Sequence, residues 1–225
     1  MRNATRLTVS TFGMLAGLAG IEHGVGEVLQ GNAAPAGLVI ASWPESELFD
    51  ILAGEPAMTI VPNLLITGIL AIVSSLAFLV WATMLVQRKH GGLVLVLLSI
   101  VMLLVGGGFG PPLLGVILGA TATRINAPVS WWRGHPSRGI WRHLGTLWSW
   151  SFAVSMIAWL LLCPGSILLD YAVGVENPDV IYVAALSAFG FLALTILVGF
   201  AHDHAQAMSE TGRPATNAGM KIDVM

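Results

Sequence analysis

Four stretches of this chain are long and apolar enough to cross a bilayer, and that leaves one fold class open. A spanning helix needs about 20 mostly apolar residues, at about 1.5 Å of rise each across a hydrocarbon core of about 30 Å. Residues 7–29, 58–86, 144–163 and 180–201 meet that length, each bounded by charge, Pro or Gly. Only 10% of the 225 residues are charged and 56% are apolar, against roughly 25% charged in an ordinary soluble domain. A soluble globular protein is excluded, and an all-α integral membrane helical bundle is expected. With 10 basic against 12 acidic residues, the overall charge does not mark a nucleic-acid binder. The one cysteine, Cys163, rules out an intrachain disulfide framework and a cysteine-based zinc site.

A fifth apolar stretch, 91–123, would measure about 50 Å as one helix, too long for the bilayer without steep tilt. Gly106, Gly107, Gly108, Pro111 and Pro112 interrupt it midway, so a helical hairpin with arms over 91–107 and 111–124 is expected. The second arm is short enough to be a re-entrant segment. Charge favours the hairpin. Six spans with both termini in the cytoplasm put every basic residue inside: Arg2, Arg6, Arg88, Lys89, Arg124, Arg133, Arg138, Arg142, Arg213 and Lys221. The outer loops then hold Glu45, Glu47, Asp50, Glu55, Asp170, Glu176 and Asp179. The expected organisation is one transmembrane domain over 1–205 and a disordered cytoplasmic tail over 206–225, in a bacterial inner membrane.

Two loops carry further signals. Ser42-Trp43-Pro44-Glu45 reads as a capping box and Gly54 as a helix stop, predicting an amphipathic outer helix over 43–53 that lies on the membrane or caps the bundle. Trp131, Trp132, Arg133 and His135 read as an interfacial belt against lipid headgroups rather than a nucleic-acid surface.

The first span is the informative one. At about 100° per residue, Gly13, Gly17, Gly20 and Gly24 form one stripe, which lets a second helix approach closely, within the bundle or in a homo-oligomer. Glu22, His23 and Glu27 are ionisable groups in the same segment. A charge in the apolar core costs at least a few kcal/mol, so such groups face protein or a water-filled cavity. His23 and Glu27, four residues apart, share a face beside the glycine stripe, whereas Glu22 points away from it. They read as a protonatable or cation site: Glu22 loads and releases, His23 modulates it, and Glu27 stands at the mouth. The plainer alternatives are a neutral hydrogen-bonded packing pair for Glu22 and His23 and a snorkelling surface carboxylate for Glu27. A His with two carboxylates also suits a first-row metal, although no HExxH pattern accompanies it. His202 and His204 are the other metal candidates, and they diverge if that segment is helical. The Gly106–Pro112 turn reaches the level of Glu22 to Glu27 only if the hairpin arms are nearly full length; short Gly-rich helices present helix ends to ions in several transporters.

The functional expectation is a small transporter or channel with an outward-facing protonatable or cation site. The alternatives are an accessory or assembly subunit packing through the glycine stripe, and a membrane haem or metal protein. No GxSxG, P-loop or strand-borne GxGxxG motif points to an enzyme, and no cofactor is expected. The expected partners are the lipid bilayer, a small ion or proton, and a second copy or membrane-complex partner, with no nucleic acid.

Overall fold

The computed structural model describes residues 3–125, 138–174 and 178–211. Among the described residues, seven α-helices run in chain order: α1 (Ala4–Leu29), α2 (Leu64–Val80), α3 (Gly91–Leu104), α4 (Gly110–Ala122), α5 (Arg138–Leu160), α6 (Ser166–Val173) and α7 (Pro178–Thr211). A π-helical turn, Trp81–Leu85, extends α2, and a second, Leu161–Gly165, joins α5 to α6 around Pro164. Two three-residue strands, β1 (Val39–Ala41) and β2 (Pro56–Met58), pair antiparallel in the register Val39 with Met58, Ile40 with Ala57 and Ala41 with Pro56. Among the described residues, Ala4–Leu29, Leu64–Leu85 and Asp179–Ser209 are each long and apolar enough to cross a membrane. Leu18, Ile69, Leu97, Leu113 and Leu186 lie exposed on the bundle's outside, as on faces that meet lipid. The chain is a helical membrane protein.

Local chemistry explains the helix ends. Asn3 caps α1 by accepting from the Arg6 amide at 2.8 Å, and Asn63 caps α2 by accepting from the Ile66 amide at 3.1 Å. That second cap, following Pro62, is why the expected start of a span at 58 moves to Leu64. The 91–123 stretch divides as expected into α3 and α4, with Pro111 and Pro112 in the first turn of α4, where a missing amide hydrogen costs nothing. At about 21 and 20 Å, these arms are shorter than their neighbours.

The glycine stripe is consumed inside the bundle. A Cβ on Gly17 would lie 2.7 Å from Leu79 Cβ, and one on Gly24 2.8 Å from the Gly68 carbonyl oxygen; Gly13 and Gly20 stand equally close to Ala82 and Ser75. All four glycines therefore seat α2 against α1, which leaves the stripe nothing to offer a second copy. Phe12, Phe78, Leu95, Met102, Leu114 and Leu118 fill the centre of α1 to α4 and are fully or almost fully buried. Helices α5 and α7 form a second pair, with Trp159 and Phe189 edge to face at 5.0 Å, and join the first group through Phe12 and Phe152 at 5.6 Å.

Asp203 of α7 closes the N-terminus of α1. Its carboxylate accepts from the Ala4 amide at 2.6 Å, the Thr5 amide at 3.0 Å and the Thr5 hydroxyl at 2.6 Å. A carboxylate there satisfies orphan amides and faces the positive end of the helix dipole. Asp203→Ala should cost about 1–2 kcal/mol, read as a lower melting temperature in detergent; an unchanged melt would show that this contact does not hold α1 to α7.

Three expectations need correction here. Only Glu47–Leu52 is helical in the outer segment, as a 3₁₀ turn, because Ser42 and Trp43 donate their amides to Glu55 and Gly54 and extend the β pair instead of starting a helix. The helix expected over 144–163 runs instead from Arg138 to Leu160, where the π-helical turn around Pro164 takes over. Helix α7 continues to Thr211, so residues 206–211 are helical and not part of a disordered tail. The expected tail over 212–225 and the belt residues Trp131, Trp132, Arg133 and His135 lie outside the described residues.

Candidate functional site

The hairpin of β1 and β2 folds back over the end of α1 and brings distant side chains to it. Its far strand is stitched to the α3–α4 turn: the Gly106 amide donates to the Met58 carbonyl at 2.9 Å, and the Ile60 amide to the Leu104 carbonyl at 3.0 Å. The lid and the glycine turn are thus one unit, placed across residues 22–27 of α1.

His23 is the centre of this unit. Its Nδ1 shares a 2.9 Å hydrogen bond with the Ser42 hydroxyl, and its Nε2 stands 3.3 Å from Glu55 Oε2, both side chains being buried. Trp43 Nε1 donates to Glu22 Oε1, while Glu22 Oε2 is buried without a hydrogen-bond partner. One ligand atom from each of Glu22, His23 and Glu55 falls within 4.8 Å of the others. Glu55 reaches the cluster from an unusual backbone. Ala53, Gly54 and Glu55 have φ of 53°, 68° and 51°, and the left-handed region costs a non-glycine residue about 1 kcal/mol or more. Strain of that kind persists where surrounding contacts over-determine it.

Glu27 occupies the next layer. The expected place at the mouth, or as a snorkelling surface group, is overturned, because the residue is 0% exposed. The reason is the lid: residues 39–58 cover the level at which α1 alone would have reached water. Both Glu27 oxygens lack a hydrogen-bond partner, and the carboxyl lies beside Ser42 and against the backbone of Gly106. A Cβ on Gly106 would overlap both Glu27 oxygens, and one on Gly108 would lie 2.6 Å from His23 Cδ2. The glycine-proline turn therefore meets the ionisable residues of α1 directly. Gly107 packs instead on the Met102 carbonyl.

The chain matches no protein-family model, no curated protein and no solved structure. What this site can do is accordingly read from its own chemistry. Sequence reasoning singled out Glu22, His23, Glu27 and the Gly106–Pro112 turn, and the structure brings them together. It missed Glu55, Ser42 and Trp43. Nothing in the sequence marks Glu55: Pro56 indicates only that a helix ends before it. His202 and His204 are not gathered into a metal cluster among the described residues. His202 instead bonds the Gly145 carbonyl at 2.9 Å through Nδ1 and Gln206 at 2.8 Å through Nε2, which occupies both ring nitrogens.

Proposed function

We propose that this chain is a six-span inner-membrane protein, with both termini in the cytoplasm, that carries a small cation or proton loaded at Glu22 and His23 on the outer side. The observation that carries this reading is the concentration of acid around one histidine at one end of the bundle. Glu22 and Glu55 flank a single imidazole and Glu27 follows one turn further along α1, whereas Arg6, Arg88, Lys89 and Arg124 stand at the opposite helix ends. Two full negative charges within 4.8 Å repel by about 3.5 kcal/mol even at an effective dielectric of about 20. A cation or a proton has to sit between them.

The sequestered charge asymmetry supports the orientation, because basic residues are retained on the cytoplasmic side. The core beneath the site supports a carrier over an open pore: Phe12, Phe78, Leu95, Met102, Leu114 and Leu118 close the centre of α1 to α4, so passage requires the bundle to rearrange.

The test is proton and cation flux into proteoliposomes, wild type beside Glu22→Gln. Flux in the wild type that falls at least about tenfold in the variant, the scale of removing a group that supports a bound ion, is the expected result. Equal flux in both removes Glu22 from the pathway, and no flux from folded protein overturns the carrier reading.

A further inference from the structure

The Glu22, His23 and Glu55 cluster has the donor set and spacing of a transition-metal site, and we propose that it binds one divalent first-row cation of the Mn²⁺, Fe²⁺, Co²⁺ or Zn²⁺ class. This deepens the cation-site reading above and rests on it. Bonds of about 2.1 Å to nitrogen and oxygen place neighbouring ligand atoms roughly 3.0–3.4 Å apart. His23 Nε2 and Glu55 Oε2 already stand at 3.3 Å, and all three ligand atoms lie within 4.8 Å, so the site is completed by Glu22 closing on the other two.

The donor chemistry selects the class. Imidazole favours the later first-row ions and carboxylate the harder ones, so one nitrogen with two carboxylates fits the overlap. Calcium requires six to eight oxygens, more than these side chains offer.

The outer partners are those of a metal site. Ser42 engages His23 Nδ1, which fixes the ring and turns Nε2 toward the carboxylates, as second partners of metal-bound histidines do. Trp43 holds one oxygen of Glu22 and leaves the other, Oε2, buried and unpartnered. Beside Ser42, the fully buried Glu27 adds a further carboxyl to the same region. Gly108 gives the ring its room, and the left-handed backbone at Glu55 aims the third ligand inward. An open cleft of about 480 Å³, lined by Gly26, Gln30, Ser42, Trp43, Glu45 and Leu64, borders the two lid residues that touch His23 and Glu22.

The experiment uses the full chain in detergent, stripped with EDTA and titrated with Mn²⁺ under electron paramagnetic resonance and with Co²⁺ under visible absorption. One ion per chain is expected, with a pulsed-resonance nitrogen coupling from a single imidazole. Glu22→Gln and Glu55→Gln should each weaken binding at least about tenfold, and Ser42→Ala about tenfold through loss of ring orientation. Glu47→Gln, an exposed lid carboxylate outside that cleft, should leave it unchanged. Absence of a bound ion in the wild type, or binding without the nitrogen coupling, overturns the proposal, and that readout needs no variant to fold. Proton flux from protein that binds no metal would overturn the metal site and leave the carrier reading standing. Bound metal without flux would do the reverse.

Discussion

Glu27→Met is expected to raise the melting temperature of the metal-free protein while abolishing flux. Glu27 is fully buried in a spanning helix, both of its oxygens lack a hydrogen-bond partner, and its carboxyl lies against the Gly106 backbone. Burying a polar group without a hydrogen bond costs roughly 2–7 kcal/mol depending on the reference state. Methionine has nearly the same length and flexibility and carries no such cost. Replacing buried ion pairs by apolar residues of similar volume stabilises proteins by about 1–4 kcal/mol in favourable cases, and a gain at the lower end of that range for a single carboxyl corresponds to a few degrees for a chain of this size. A residue that weakens the fold and yet occupies the layer beside His23 is the pattern of a site kept for function. The melt should be run in EDTA, since a bound cation would supply Glu27 with a neighbouring charge and mask the gain. A lower melting temperature for the variant in EDTA would mean that Glu27 is held by the fold itself, and flux equal to wild type would free it from any role.

The parts of the fold legible in the sequence are those set by composition along one helix. Bilayer-length apolar runs identify α1, α2 and α7, the Gly106–Pro112 break separates α3 from α4, and the stripe from Gly13 to Gly24 marks the face of α1 that meets α2. The lid escapes such reasoning. Its strands are three residues each, too short to show an alternating pattern, and an isolated two-stranded pair is marginal on its own. It is held by its bonds to the α3–α4 turn through Met58 and Ile60, which no local pattern announces. The capping-box reading at Ser42 failed for the same reason: the hydroxyl that was expected to start a helix is bonded to His23, nineteen positions back in the chain. Glu22 and His23 were visible because charge inside an apolar run is costly and so conspicuous. Glu55 was hidden among acids of an outer loop, where charge is ordinary, until the fold carried it inward.

The same contact between turn and helix yields the second large effect: Gly108→Ala should destabilise the protein by about 2–5 kcal/mol and release His23 from its fixed orientation. Two costs combine. Gly108 has φ +77°, a region where an alanine pays about 1–2 kcal/mol. The new methyl would also lie 2.6 and 2.8 Å from His23 Cδ2 and Cε1, inside van der Waals contact with a ring that Ser42 and Glu55 hold from either side. Gly110→Ala is the control, because nothing lies within 4 Å of a Cβ there, and its melt should stay near wild type. A double-mutant cycle separates the two costs. In the His23→Ala background the steric part disappears and the backbone part remains, so the effect of Gly108→Ala should shrink to about 1–2 kcal/mol. Strictly additive losses would show that the turn and the histidine are independent, and would remove the glycine turn from the site. Non-additivity would establish that Gly108 is retained to admit an imidazole, which ties the backbone of the α3–α4 hairpin to the chemistry of α1.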